Sequence, residues 1–268
     1  TLPNLSLNKQ KQIRKLKQKK FRRITQSFIC EGFRLFETAI NTPGLQINEL
    51  LLGQNILDKP QGKLSMTQAQ KRKIPVYSVE ENTMREISED MSSPGILFTV
   101  EKQTKDKNFL KDVDDRLLLY LDRVSEPGNI GTIMRSAVWF GLDKILLSPG
   151  CVDPFNSKSI RASAGAIFGI EIILDIDFEW IKNHLRKKKY HFTATVISNG
   201  IPLDRWKMKS KNIIFFGQEA DGLSKEILDN ADTHLQIPPL GNIDSLNLSV
   251  ATGIVLYELS KSNSTENE

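Results

Sequence analysis

Apolar positions along this chain come in short runs separated by helical spacing, and the pattern changes once. Between residues 26 and 100, strand-like runs at 27–30, 47–52, 76–79 and 96–100 surround an amphipathic helix over 33–40 and a polar helix near 67–72. This predicts a compact α/β module. Further on, strand-like runs at 117–121, 144–147, 171–174, 192–196, 213–216 and 234–237 alternate with helical patterns. Such alternation predicts a parallel α/β sheet, and by itself suggests a Rossmann-like, doubly wound domain.

Between the two patterns, residues 101–115 are rich in Lys and Asp and poor in apolar residues, which suits an interdomain linker with the boundary near residue 110. The expected division is a basic N-terminal helix over 1–25, an α/β domain over 26–105, a linker over 106–115, a second domain over 116–262 and a polar tail over 263–268. A length of 268 residues accommodates this, and 39% hydrophobic with 26% charged residues describes a globular chain. No apolar run approaches the ~20 residues that span a bilayer. The apolar positions near the N-terminus are interrupted by lysines, unlike a secretion signal. Cys30 and Cys151 are too far apart in sequence to suggest a disulfide framework. His184, His191 and His234 lack the spacing of a metal site, so no metal is expected. A reducing cytoplasm is the expected compartment.

The net charge of +5 is unevenly placed. Nine cations between Lys9 and Arg23 have no acid among them, and Ile13, Leu16 and Phe21 punctuate them at roughly helical spacing. The expectation is a basic amphipathic helix docked along one edge, its outer face offered to a polyanion or simply to water. Lys15, Lys19, Arg22 and Arg23 are the candidate contacts to such a polyanion, a nucleic acid among them. A second cluster, 186–189, is read as a solvated helix end.

Three segments carry the candidate chemistry. Residues 121–141 and 215–222 each take a buried-strand run into a glycine-marked turn. In the first, Pro127 and Gly128 shape the turn, Asn129 is a candidate N-cap, and Gly131 and Arg135 lie in the helix that follows. In the second, Gly217 and Gly222 bracket Glu219 and Asp221. The third, residues 237–251, turns Ile237 and a Pro-Pro-Leu-Gly loop into an apolar helix that Ser245 can cap. Leu246, Val250, Ile254 and Tyr257 form one track of that helix, and Leu248, Ala251, Val255 and Leu259 lie nearby, so packing on both sides is expected.

In this order the three segments resemble the motifs of the SpoU (TrmH-type) RNA 2′-O-ribose methyltransferases of the SPOUT class. The resemblance spans roughly 115–260. A weaker likeness over 20–100, at 28–32 and 92–98, is to the RNA-binding domain that such enzymes often carry. It implies a C-terminal trefoil-knot domain with a parallel sheet, a smaller N-terminal α/β RNA-binding domain, S-adenosylmethionine as methyl donor, and a homodimer whose sites are completed across the interface. Arg135 matches the family's catalytic arginine; because a guanidinium ordinarily keeps its proton, its expected role is to bind phosphate and stabilise a developing alkoxide, with assistance to deprotonation left open. Asn129, Glu219, Ser245 and Asn247 match residues that shape the site, with Glu219 organising the loops or orienting Arg135. Gly217, Gly222, Ile237, Gly241 and Leu246 match the donor-binding positions. One departure is Glu126, where family members commonly have Asp before the proline.

The implied activity is 2′-O-methylation of RNA, with ribosomal RNA preferred because two-domain relatives act there. A transfer RNA 2′-O-methyltransferase, a base methyltransferase of the same class and a noncatalytic RNA-binding or ribosome-assembly protein are the alternatives.

Overall fold

The computed structural model describes residues 2–89, 93–102, 104–105 and 107–264. Ser92 of the 92–98 motif, Gln103 and Asp106 of the charged stretch, and the last four residues of the tail lie outside the described residues. In chain order the first half holds α1 (Leu7–Lys15), α2 (Lys19–Thr25), β1 (Ser27–Glu31), α3 (Phe33–Asn41), β2 (Ile47–Gly53), α4 (Pro60–Lys71), β3 (Val76–Val79), α5 (Glu81–Ile87) and β4 (Ile96–Glu101). The second holds β5 (Thr104–Lys105), β6 (Leu117–Asp122), α6 (Pro127–Trp139), β7 (Lys144–Leu147), α7 (Ser157–Ser163), β8 (Glu171–Ile173) and α8 (Phe178–Leu185). It continues through β9 (His191–Val196), β10 (Ile201–Pro202), β11 (Asn212–Gly217), α9 (Lys225–Asn230), β12 (Thr233–Gln236) and α10 (Leu248–Ser264).

The chain forms two compact units, residues 1–102 with 155–168, and residues 103–154 with 169–268. The first is built on a four-stranded sheet of order β1-β4-β2-β3, antiparallel except for the β2–β3 pair. The basic segment expected as one helix is two, because the chain breaks after Lys15 and restarts at Lys19. Ile13 and Leu16 dock with Leu51, Leu97 and Met84 in one apolar cluster, and the Arg22 guanidinium donates to the carbonyls of Leu16 (2.8 Å) and Lys17 (2.7 Å) at the break. The segment 155–168, which the sequence pattern left inside the second domain, belongs to this unit: Phe155 packs on Phe28 with ring centroids 5.0 Å apart, and Phe168 lies 6.4 Å from Phe98.

The second unit holds eight parallel strands in the order β10-β12-β9-β11-β6-β7-β8-β5. Its central strands β6 and β11 are near-continuous apolar runs buried on both faces, as a parallel sheet covered by helices requires. Tyr120, Phe178, Phe192 and Phe215 form the aromatic centre of the core, with Tyr120 and Phe215 rings 5.3 Å apart. From residue 103 on, the stretch read as a linker is part of this unit. Thr104 and Lys105 pair with β8, and Leu110 on a 3₁₀ helix (Lys107–Asp112) and Val113 just after it are buried in the core. Two well-spaced apolar residues suffice to dock a segment that is otherwise charged.

Candidate active site at the carboxyl ends of the parallel strands

Because every strand of this sheet points the same way, the loops that leave β6, β11 and β12 all emerge at one edge. β6 and β11 are neighbours in register, Leu121 opposite Phe216 and Asp122 opposite Gly217. Chain order reverses here, since β7 and β8 extend the sheet on one side of β6 while β11, β9 and β12 extend it on the other. In open α/β sheets that reversal is where ligands bind.

A ladder of side chains joins the three loops. Asn247 Nδ2 donates to Asn129 Oδ1 (3.0 Å), and Asn129 Nδ2 donates to Glu219 Oε1 (2.7 Å). Glu219 also accepts from the Ser125 hydroxyl (3.2 Å) and, at 3.4 Å, from the backbone N–H groups of Ser125 and Glu126. Burial alone would raise the Glu219 carboxyl, but the Asn129 and backbone donors outweigh it and hold it below its ordinary value. Glu219 is therefore an anion that organises the loop before α6.

The caps differ from those the sequence suggested. Glu126 caps α6, its Oε1 accepting from Gly128 N at 3.3 Å, with Pro127 at the first helical position. Asn129 is thereby three residues inside the helix, buried and released for the ladder. At α10 the cap is Asn247, whose Oδ1 accepts from Ser249 N (2.9 Å), Ser249 Oγ (2.7 Å) and Val250 N (3.3 Å). Ser245 lies two residues before it, exposed and outside the helix, and makes no hydrogen bond to a described residue. Either residue fits the helix entrance chemically; only Asn also carries the amide that reaches Asn129.

Gly217 has no room for a side chain: a Cβ there would stand 2.1 Å from the Gly222 carbonyl carbon. The turn closes through Gly222 N to Gln218 O (3.1 Å), and Gly222 sits at φ +67°, a conformation that favours glycine. Residues 238–246 contrast with this tight turn. All are exposed, no hydrogen bond among the described residues engages them, and Leu240, Ile243 and Leu246 stand with their side chains in solvent. Open peptide groups beside apolar side chains suit a ligand with a flat heterocycle. Ile237 is half-buried at the start of this loop and Gly241 has open space around it.

Arg135 lies six residues beyond Asn129 on α6, about 9 Å along the axis at ~1.5 Å per residue. It is exposed, and no side-chain hydrogen bond or ion pair joins it to Glu219 or to another described residue. Of the two roles expected of Glu219, organising the loops or orienting Arg135, its contacts fit the first: it holds Asn129 and the 125–126 backbone. Gly131 is buried in the same helix. Sequence reasoning missed Asp122 and Arg123, which link this strand end to residues 222–224, although a charged pair ending a buried apolar run was a visible signal.

In the N-terminal unit, the structure divides the candidate RNA contacts. Arg22 is 4% exposed and spent on the Leu16 and Lys17 carbonyls, which corrects its assignment as an RNA contact. Lys17 donates to the Glu86 and Ser88 carbonyls, Arg14 pairs with Glu86, and Lys9 pairs with Glu49. Lys11, Lys15, Lys19, Lys20 and Arg23 remain exposed. At 186–189, Arg186 binds Asp232 and the Asn230 carbonyl and Lys188 the Val113 carbonyl, leaving Lys187 and Lys189 exposed.

Residues 116–257 match the model of the SpoU rRNA methylase family, and residues 8–97 match an MRM3-like substrate binding domain. The chain belongs to the SpoU rRNA methylase family. Among its relatives, the 23S rRNA (guanosine(2553)-2′-O)-methyltransferase RlmP of Bacillus subtilis is 28% identical over 251 residues, spanning 94% of this chain and 95% of that protein. The crystal structure of an rRNA methyltransferase from Sinorhizobium meliloti superposes with a TM-score of 0.83 at 30% identity, covering 97% of each chain. An AdoMet-bound rRNA methyltransferase structure from the same organism gives 0.80 at 28% identity. The SpoU match takes in all three loops, so the ladder from Asn247 through Asn129 to Glu219 lies wholly inside it. The MRM3-like match covers both basic helices except Leu7.

Proposed function

We propose that this protein transfers a methyl group from S-adenosylmethionine to a ribose 2′-hydroxyl of ribosomal RNA, acting as a homodimer in the cytoplasm. The observation that carries the reading is the Asn247–Asn129–Glu219 ladder, which holds all three family motifs at the switch point of the sheet. The donor supplies a methyl group on a sulfonium centre. The chain's own part is to bind and align. Gly217 and Gly222 form a turn whose backbone approaches closely, and residues 238–246 offer open peptide groups and Leu240, Ile243 and Leu246 as apolar cover for the adenosine end. The Arg135 guanidinium, unpaired among the described residues, is available to an RNA phosphate and to the negative charge that grows on the attacking oxygen. Glu219, held as an anion and occupied by Asn129 and the loop backbone, serves as organiser.

Two surfaces support the partners in this reading. Val250, Ile254 and Tyr257 form one exposed face of α10, and Trp139, 83% exposed, ends α6 next to Phe140, whose ring lies 6.4 Å from Tyr257. Such an apolar face suits a second copy of the chain. Lys11, Lys15, Lys19, Lys20 and Arg23 suit an RNA backbone, which rewards cations irrespective of sequence. The trefoil knot is part of the same reading. Its support is the path of residues 237–247, which carries the chain from β12 back past β9 and β11 to reach Asn129 on α6.

The deciding experiment is transfer of labelled methyl to unmodified rRNA and to transfer RNA in parallel, followed by nucleoside mass spectrometry. A 2′-O-methylated nucleoside from rRNA is expected. Label on transfer RNA alone, or on a base, would replace the substrate or the reaction, and a monomer in sedimentation would remove the shared-site dimer.

A further inference from the structure

The end of β6 carries a charged pair with no place in the chemistry above. Asp122 is 5% exposed, yet its carboxylate meets two partners across the loops: Oδ2 accepts from Ser224 N (2.9 Å) and from Arg123 Nη2 (3.2 Å). Ser224 is the residue before α9 and does not cap that helix with its own side chain. Arg123 stands at φ +54°, a left-handed conformation unusual for a side chain of this size. That backbone geometry is fixed by Arg123 N donating to Ser148 Oγ (2.8 Å), in the loop after β7. From there the guanidinium spans from Asp122 to the Gly222 carbonyl at 3.4 Å. Two adjacent residues thus tie the loop after β7 to both ends of the segment 222–224.

The turn 217–224 is therefore clamped from two sides. Glu219 fastens its first half to the loop before α6, and Asp122 with Arg123 fastens its second half to the strand end. We infer that Asp122 and Arg123 are positioning residues that hold the 217–224 turn in its donor-binding shape, acting through Gly222 and Ser224 without touching RNA. This rests on the donor lying against that turn, as proposed above. Neither residue faces the α10 helix or Arg135 through any described contact, so their loss should weaken the donor and leave the alignment of the ribose hydroxyl intact.

The test uses the full chain with Asp122→Asn, Arg123→Met and the pair together, measuring donor affinity by calorimetry and kcat and KM at saturating RNA. Each single variant is expected to raise the donor Kd and KM by about tenfold or more, with kcat at saturating donor within about threefold and the RNA KM unchanged. Since both act through one clasp, the double variant should be no worse than the worse single. A fall in kcat with donor KM unchanged, or fully additive losses, would overturn the inference. Arg123 is partly exposed, so Arg123→Met keeps the test decisive where Asp122→Asn does not fold. Hydrogen exchange of the unaltered protein separates the two levels. Donor-induced protection of 217–224 with unchanged donor affinity in Arg123→Met rejects the clasp alone; no protection there rejects the donor placement and the clasp with it.

Discussion

Asn247 caps α10 with its oxygen and feeds the ladder with its amide nitrogen, and three substitutions separate these roles. Serine keeps a cap and removes the nitrogen; alanine removes both; aspartate keeps the cap but presents an acceptor to Asn129 Oδ1, now 3.0 Å from a donor. Asn129 can answer aspartate only by turning its amide, which would face its oxygen to Glu219 Oε1 at 2.7 Å in place of the present donor. A hydrogen bond to a charged group contributes about 1.5–3 kcal/mol and a neutral one about 1 kcal/mol. Loss of an N-cap costs roughly 1 kcal/mol. Asn247→Ser should therefore lose about 1 kcal/mol of stability and Asn247→Ala about 1 kcal/mol more, read by chemical denaturation. In single-turnover methyl transfer the two should be alike, because both leave Asn129 bound to Glu219. Asn247→Asp should be slower than either by about 10–100-fold, since ~1.4 kcal/mol is tenfold in rate and one charged bond is lost. Equal rates for Asn247→Asp and Asn247→Ala would refute the claim that ladder polarity matters. Rates that follow stability across Ser and Ala would show that the cap alone is what the reaction needs.

Three further outcomes follow from the geometry. Gly217→Ala should destabilise the chain by about 1–3 kcal/mol and abolish donor binding, because its Cβ must displace the Gly222 backbone; a thermal melt and a donor titration check this. Arg22→Ala should lower stability while leaving the salt dependence of RNA binding in place, whereas neutralising Lys15, Lys19 and Arg23 should flatten that dependence, by ~0.7–0.9 per lost phosphate contact, at an unchanged melting temperature. Glu219 has its carboxyl held below the ordinary value, so its stabilising contribution is full above the unfolded pKa of roughly 4.3 and is lost as pH falls through the folded value. The difference in stability between the parent chain and Glu219→Gln should thus be constant from pH 5 to 8 and shrink as pH falls below that; a difference that instead grows as pH falls from 7 to 5 would mean the carboxyl is raised.

The parallel sheet was legible because β6, β7 and β11 are apolar runs set between helical patterns, and burial on both faces leaves just that signature. β5 and β10, two residues each at the sheet's edges, have no pattern to read. The three loops were legible as a set, yet both caps were misplaced by two or three residues. Ser245 and Asn247 are comparable caps on propensity and Asn129 is a better one than Glu126, yet the choice is made by the long-range bonds between Asn247, Asn129 and Glu219, which local sequence does not contain. Basicity marked α1 and α2, but could not tell Arg22, folded under the break between them, from Arg23 beside it in solvent. The docking of Leu110 and Val113 was hidden by their charged neighbours.

The membership of residues 155–168 in the N-terminal unit has a consequence for the order in which the protein is made. Phe155 and Phe168 reach their ring partners Phe28 and Phe98 only after the strands β6 and β7 have already been synthesised. The first unit therefore stays unfinished on the ribosome while the sheet of the second begins, and a cut at residue 102 would release a module still missing two aromatic side chains.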